Sequence, residues 1–531
     1  MKRFLVLALV VCMLLSACAM AETDNSAFVT REVEWPITTE DITIKVMGPK
    51  AAMHVEWADM DLWQWLSEET GLKFEFITPA AESFQERKSL AFASGDMPDL
   101  FINGGFTAEE IVQYGVEQGL LVAMDEYFDY APHVAKAFED YPEVYASSVA
   151  EDGHIYTQNL INLPIWTATS RHLFLNTTWL ERVGMEIPTT IDEYHDVLLA
   201  FKEQDANGNG DATDEIPLGG QKNLDSLRGV LLSAYGLVST GFEIERDSGE
   251  IVYAPITENY KAYLKTMHTY WSEGLIDIDM FSQDGTSMNA RAAEDLYGSF
   301  AGLASFVIAP ASMIGDFAML TPLTSEMNDK PLQYYNGAFT LGVAAINSQS
   351  EHIEECMQLL DWMYTKEGVL SMSYGPHNYG FVPETGAHYF ILADGTGGAD
   401  DSYRGTLTIG PGTTLPVNMR ASEDSYSAFY SDSVNNYNNS VLWAQICEHA
   451  LPYIHYAQPS VVWTSDEATA MLSITELKTY VENMEAKFIT GEADIDGECD
   501  AYVKAVKSYG YDDILAAYTS AWARYQEAVG Q

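Results

Sequence analysis

FQERKSLAFASGDMPDLFIN, residues 84–103, holds the reading on which the fold turns. FQERKSLAFAS is a helical segment, and Gly95 is the residue that most readily takes the left-handed conformation ending a helix. Pro98 then marks a turn, and DLFIN (99–103) is a short apolar run of the kind found in a buried strand. Upstream, LKFEFI (72–77) alternates apolar and polar residues as a strand does, and DLWQWLSEETG (61–71) is an amphipathic helix closed by Gly71. DITIKVMG (41–48) alternates again and opens the series. Downstream, TAEEIVQYGVEQG (107–119) is a helix with Thr107 at its cap. The order is therefore βαβαβα, which predicts an α/β lobe with a largely parallel sheet.

A second α/β region begins near residue 160. RHLFLN (171–176) reads as a strand, followed by helices over 177–184 and 188–204. In the latter, Thr190 and Glu193 have the spacing of a capping box, and Ile191, Tyr194, Val197, Leu198 and Phe201 form one helical face. Further helices are expected over 258–273, 352–366, 474–489 and 511–529. There is no internal repeat and no low-complexity stretch.

The 531 residues include 78 acidic and 27 basic side chains, a formal charge of −51. A surface of that sign repels nucleic acid and anionic lipid, stays soluble, and favours divalent cations. The first twenty residues, MKRFLVLALVVCMLLSACAM, pair Lys2 and Arg3 with an apolar run too short to span a bilayer, which is the pattern of a secretory signal. Leu15-Ser16-Ala17-Cys18 resembles the lipobox of bacterial lipoproteins. That resemblance implies a signal peptide over 1–18 and a diacylated Cys18 as the new N-terminus. Residues 19–36 then read as a polar tether. No second apolar run of membrane-spanning length follows. Cys356, Cys447 and Cys499 are distant from one another and odd in number, so buried free thiols are expected rather than a disulfide framework or a zinc site.

LAFASGDMPDLFIN (90–103) resembles the ASGDxPD signature of bacterial extracellular solute-binding proteins that serve ABC importers. FLNTTWLERVGMEIPTTIDEYHDVLLAFKEQDANGNGDATDEIPLGG (174–220), YLKTMHTYWSEGLIDIDMF (263–281) and LLDWMYTKEGVLSMSYG (359–375) are similar to the large lipoprotein subfamily that includes the alginate-binding proteins. The resemblance covers roughly residues 40–490, in order. It implies an α/β, two-lobed periplasmic-binding-protein fold, type II-like, with hinge crossovers and a solute held by closure of the lobes. The lobes would be 37–160 with 303–375, and 161–302 with 376–531. It also implies a lipid-anchored monomer on the extracytoplasmic face of the membrane that hands an oligosaccharide to permease subunits. A peptide is the alternative solute.

DANGNGDATDEIP (205–217) opens like an EF-hand calcium loop. Asp205, Asn207 and Asn209 alternate, Gly210 permits the sharp turn, and Asp211 at the seventh position offers a carbonyl. The twelfth position should be Glu and is Ile216, with Glu215 one residue early, so this is not a sensor hand. The loop is similar to the calcium loop of the alginate-binding proteins, in which an Asp-Glu pair closes a shortened loop before Ile-Pro. Thr213 is one residue extra by that comparison. Asp205, Asn207, Asn209, Asp211, Asp214 and Glu215 are the expected ligands of a structural Ca²⁺. The alternative is a polar Asx-rich turn with no metal.

Sugar sites use aromatic faces and a few fixed polar groups. The expected crossings are GHIYTQNLINLPIWTATSR (153–171), offering Tyr156, Trp166 and Arg171, and YGPHNYG (374–380), offering His377, Asn378 and Tyr379. Trp57 and Trp443 complete the candidates. For each aromatic, core packing competes with ligand contact. An arginine in so acidic a chain either orients a solute or pairs with a carboxylate. HExxH, GxSxG, GxxxxGK and a strand-bound GxGxxG are all missing. Among 78 carboxylates no glycosidase pair can be singled out. No enzyme is expected, with a surface glycoside hydrolase the remote alternative.

Overall fold

The computed structural model describes residues 27–530 except 163–168, 170, 223–224, 311, 336, 338, 383–387, 399, 420–436 and 457–460. The chain forms two compact units, Met1–Gly104 with Tyr127–Val134 and Val343–Asn436, and Gly105–Glu126 with Ala135–Gly342 and Tyr437–Gln531. The described residues of 376–419, expected with the second lobe, therefore group with the first unit. The cause is long-range hydrogen bonding: His54 Nε2 lies 2.7 Å from the Pro411 carbonyl, and the Thr414 N–H donates to Asn103 Oδ1 at 3.0 Å. Residues 105–126, 135–160 and 303–342, expected with the first lobe, group instead with the second unit, where Trp463 Nε1 donates to Glu109 at 3.0 Å.

In the first unit, strand β1 (Thr43–Met47), helix α1 (Asp61–Thr70), strand β2 (Lys73–Ile77), helix α2 (Phe84–Ser94) and strand β3 (Leu100–Ile102) follow the order read from the sequence. β1 lies between β2 and β3 and is parallel to both. β3 then pairs antiparallel with residues 344–346 of the strand Phe339–Ile346. Ile44, Val46, Leu100 and Ile102 are wholly buried. α1 buries Leu62, Trp63 and Leu66, with the Trp63 ring against Phe74 and Phe76 of β2. Each such side chain contributes about 1.5–3 kcal/mol of burial. Gly71 ends α1 at φ +78°, and a Cβ there would meet the Thr38 carbonyl at 2.1 Å, so both conformation and space require glycine.

Residues 28–36 are not a free tether. Phe28 stacks on Phe381 at 4.7 Å between ring centres, and Trp35 packs against Trp65 and Trp362 at 5.5 and 5.6 Å. Arg31 lies over the Trp35 ring and forms ion pairs with Glu69 at 2.6 Å and Glu367 at 3.1 Å. Alternating aromatic and charged residues look like a solvated segment in isolation. Here the aromatics meet three partners distant in sequence and strap the segment to the first unit.

The second unit is built on a four-stranded sheet of β4 (His172–Asn176), β5 (Ile216–Leu218), β6 (Tyr297–Gly302) and β7 (Phe317–Met319), in the order β7-β4-β6-β5. β5 runs parallel to β6, and the other pairings are antiparallel. Helix α3 (Ile191–Glu203) has the expected capping box, and all five residues of its predicted face are buried. Helix α5 (Glu258–Ser272), which follows α4 (Asp225–Leu232), packs against α6 (Ile474–Thr490), and α7 (Tyr511–Val529) closes the chain. Two helices depart from expectation. Over 107–119 only Ala108–Ile111 is α-helical, and Val112–Glu117 widens to a π-helix where Gly115 sits against the Tyr156 ring. The helix expected over 352–366 ends at Met363, because Thr365 caps a new one. Cys356 is buried as expected, but Cys447 is exposed and Cys499 half-buried.

Candidate ligand-binding site

The acidic loop after α3 is ordered by its own hydrogen bonds. Asp205 Oδ2 accepts from the Gly210 N–H at 3.0 Å, Asn207 Oδ1 from the Asn209 N–H at 2.9 Å, and Asn209 Oδ1 from the Asp211 N–H at 2.7 Å. These bonds curl the backbone around the alternating side chains. Asp214 accepts from the Asn207 and Asn209 amides at 3.2 and 2.7 Å. Thr213 donates to Asp211 Oδ1 through its N–H at 3.1 Å and its hydroxyl at 2.6 Å. Glu215 Oε1 accepts the Ala206 N–H at 2.9 Å, and burial raises the Glu215 pKa.

Two carboxylate oxygens, Asp205 Oδ1 and Glu215 Oε2, are buried with no hydrogen-bond partner. Leaving such oxygens unsatisfied is costly. Among the described residues no three His, Cys, Asp or Glu side chains gather into a metal-holding group. The donor set here is mixed carboxylate and amide, so a carboxylate count understates it. The two orphaned oxygens are the stronger indication, and the residues fit a hard cation with oxygen ligands.

A separate cavity of about 390 Å³ opens within the second unit. α4, α6, the 238–242 segment and residues 334–335 form its walls. Arg171, just before β4, lies with its guanidinium carbon 4.2 Å from the Tyr334 ring centre. Gly229 on α4 makes room for it, since a Cβ there would fall 2.6 Å from Arg171 Cδ. Arg228 pairs with the buried Glu485 of α6 at 2.7 Å, and the Tyr263 hydroxyl donates to the same carboxylate at 3.3 Å. Burial and the neighbouring carboxylate hold the Tyr263 hydroxyl well above its ordinary range. Tyr253 is 2% exposed, and its hydroxyl has no partner. Glu243 holds the 238–242 wall by accepting the Val238 and Ser239 N–H groups at 3.1 and 2.8 Å. Such a lining of tyrosines and fixed charges suits a hydroxyl-rich solute better than an apolar one.

Of the sequence-derived ligand candidates among the described residues, only Arg171 lines this cavity. Trp57 is 1% exposed and stacks on Trp63 in the core of the first unit, so it is a packing residue. Tyr156 is buried beneath Gly115 with its hydroxyl on Asp152 at 2.6 Å. His377 is exposed in the first unit beside Trp65, and the Asn378 amide donates to the Ile391 carbonyl at 3.3 Å. Tyr379 is buried, and that burial raises its hydroxyl to about 12. Trp166, the Trp443 side chain and Cys18 lie outside the described residues. Sequence reasoning missed Tyr253, Tyr334, Arg228, Lys478, Glu482 and Glu485. The last three share one face of α6 at helical spacing, which was the available signal, but nothing distinguished that face from the chain's many other acidic ones.

The family model described as bacterial extracellular solute-binding protein matches residues 51–370. A fructooligosaccharide ABC transporter substrate-binding protein, FusA of Streptococcus pneumoniae, is 26% identical over 96% of both chains. Its kestose complex superposes with a TM-score of 0.76 at 23% identity, over 91% of this chain and 99% of that one, and the same protein has been solved as an EF-hand mutant. Lipoprotein LipO of Bacillus subtilis is 24% identical over 70% of this chain and 72% of its own. The alginate-binding protein AlgQ2, solved without calcium, superposes with a TM-score of 0.70 at 20% identity over 93% of this chain and all of that one. The fold is thus that of the two-lobed solute-binding proteins.

Proposed function

The chain belongs to the bacterial extracellular solute-binding protein family, and from that premise we propose that it is the substrate-binding component of an ABC importer whose solute is an oligosaccharide. It is anchored by a lipid on Cys18 and delivers its solute to membrane permease subunits. The observation that carries the saccharide reading is the tyrosine-lined cavity with the ion pair Arg228–Glu485 fixed in its wall and Arg171 laid across Tyr334. Similarity to FusA along nearly the whole chain supports the same solute class. The protein binds and releases without chemistry, and no catalytic residue is assigned. Among the described residues no helix is long and apolar enough to cross a membrane.

Ca²⁺ is proposed as a structural ion in the 205–215 loop, held by Asp205, Asn207, Asn209, the Asp211 carbonyl, Asp214 and Glu215. The orphaned oxygens of Asp205 and Glu215 support it, since a cation would satisfy both.

The test is a thermal-shift screen of residues 27–531 against oligosaccharides and peptides with calcium or chelator. A ligand bound only by the folded state raises the melting temperature, by about 2.7 kcal/mol of stability at a hundredfold excess over Kd. A saccharide that shifts the transition and is recovered intact is the expected result. A shift with peptides alone, or consumption of the sugar, would overturn the reading. Chelator is expected to lower the melting temperature, and Asp205→Asn is expected to abolish that calcium dependence.

A further inference from the structure

We infer that Arg171 forms a subsite for an anionic group on the solute, a carboxylate or sulfate carried by an acidic saccharide. This rests on the oligosaccharide reading and narrows it. The first argument is the company Arg171 does not keep. With 78 acidic residues against 27 basic ones, an arginine side chain meets carboxylates readily. Arg31, Arg228, Arg246, Arg291, Arg404 and Arg524 form ion pairs, while Arg87 and Arg182 form none among the described residues but are exposed. Arg171 forms none among the described residues, and its recorded side-chain partner is the face of Tyr334. Arg171 differs from Arg87 and Arg182 in being half-buried in a cavity wall, where water does not fully solvate an unpaired guanidinium.

The second argument is preorganisation. The side chain runs between the Tyr334 ring and the backbone of α4, where Gly229 leaves the only space a Cβ would take, 2.6 Å from Cδ and 3.0 Å from Nη1. Stacking occupies the face of a guanidinium and leaves its N–H edge available for a planar or tetrahedral oxyanion. Little side-chain freedom remains to be lost on binding.

The third argument is the balance of charge in the cavity. Its lining carries Arg171, Arg228 and Lys478 against Glu482 and Glu485. Glu485 is already neutralised by Arg228. Lys478 is exposed and has no ion pair among the described residues, so Arg171 and Lys478 face the single unpaired carboxylate of Glu482. A cavity with more cations than carboxylates is the reverse of the chain as a whole. Tyr253 lines the same space, and its buried hydroxyl has no hydrogen-bond partner.

Calorimetry on residues 27–531 tests this with matched probes. Trigalacturonate is compared with its carboxyl-reduced form, and a sulfated carrageenan tetrasaccharide, whose galactose backbone is otherwise uncharged, with its desulfated form. The expected result is that one acidic probe binds at least about tenfold more tightly than its neutral partner, and that Arg171→Gln removes this preference. The two pairs tell carboxylate from sulfate. Gly229→Ala is a second route, since it crowds Arg171 while improving helix propensity in α4. It should lose the preference with no fall in the melting temperature of the free protein. If neutral partners bind as well as acidic ones, or alone, the anionic subsite is overturned and the oligosaccharide reading stands. If the preference survives in Arg171→Gln, the subsite is elsewhere and the inference fails. If no saccharide of either kind binds, both readings fall together.

Discussion

At the scale of the residue, Glu243 shows how a buried acid ties stability to pH. Its carboxyl is 1% exposed and is held by two backbone N–H groups in the cavity wall. Burial dominates those hydrogen bonds and pushes its pKa up to about 7. The folded state therefore holds the proton more tightly than the unfolded chain. That contribution is fully present below the ordinary carboxylate pKa and is lost as pH rises through about 7. At higher pH the charged form costs on the order of 3 kcal/mol at most. An amide mimics the protonated acid, so Glu243→Gln should gain on the native protein as pH rises, with the two melting together near pH ~4.5. Melting curves at several pH values decide it, and parallel loss of stability in both proteins would remove Glu243 from the account. Nothing in GFEIERDSGE marks this residue in advance, because its neighbours Phe242 and Ile244 are buried as well.

At the scale of the element, local signals were legible and distant partners were not. α1 and α2 end at Gly71 and Gly95, and α3 begins at the Thr190 capping box, as the sequence signals place them, since such signals act within a few residues. The strap at 28–36 was read as tether because its partners, Trp362, Glu367 and Phe381, lie more than three hundred residues away. Its exposed ion pairs contribute little, and its aromatic contacts contribute about 0.5–1.5 kcal/mol each. Trp35→Ala should therefore release the strap without unfolding the first unit. Limited proteolysis should show new cleavage within residues 27–40, with the remaining core resistant, and Arg31→Ala should have a smaller effect. Resistance of the strap in Trp35→Ala would mean that Phe28 and Arg31 suffice to hold it. The 205–215 loop lies between these cases. Its alternating Asp and Asn residues were legible in the sequence, but the pairing of Asp214 with both asparagine amides was not.

At the scale of the whole molecule, the βαβαβ order gave the fold class, while the assignment of segments to units depended on contacts such as Thr414 with Asn103 that no periodicity encodes. Arg171 was legible because a cation is conspicuous in so acidic a chain. Its platform Tyr334 and the Glu485 face of α6 were not conspicuous, since tyrosines and acids are abundant here. That same abundance has a global consequence. A formal charge of −51 makes the folded state repel itself, and folding brings those charges closer than they are in the extended chain. Screening over about 10 Å at ~0.1 M salt weakens this repulsion. The buried pair Arg228–Glu485 is shielded from the ions, whereas exposed pairs such as Lys73–Asp41 add little stability to lose. Raising sodium chloride from ~0.01 M to ~0.3 M should therefore raise the melting temperature of the chelated protein by several degrees. Calcium at ~1 mM should add a further rise at either salt concentration, because it acts at one loop by mass action rather than by screening. A melting temperature that falls with salt would mean that attractive pairs outweigh net repulsion. A calcium effect that vanishes at high salt would reduce the ion from a ligand of the 205–215 loop to a diffuse counterion.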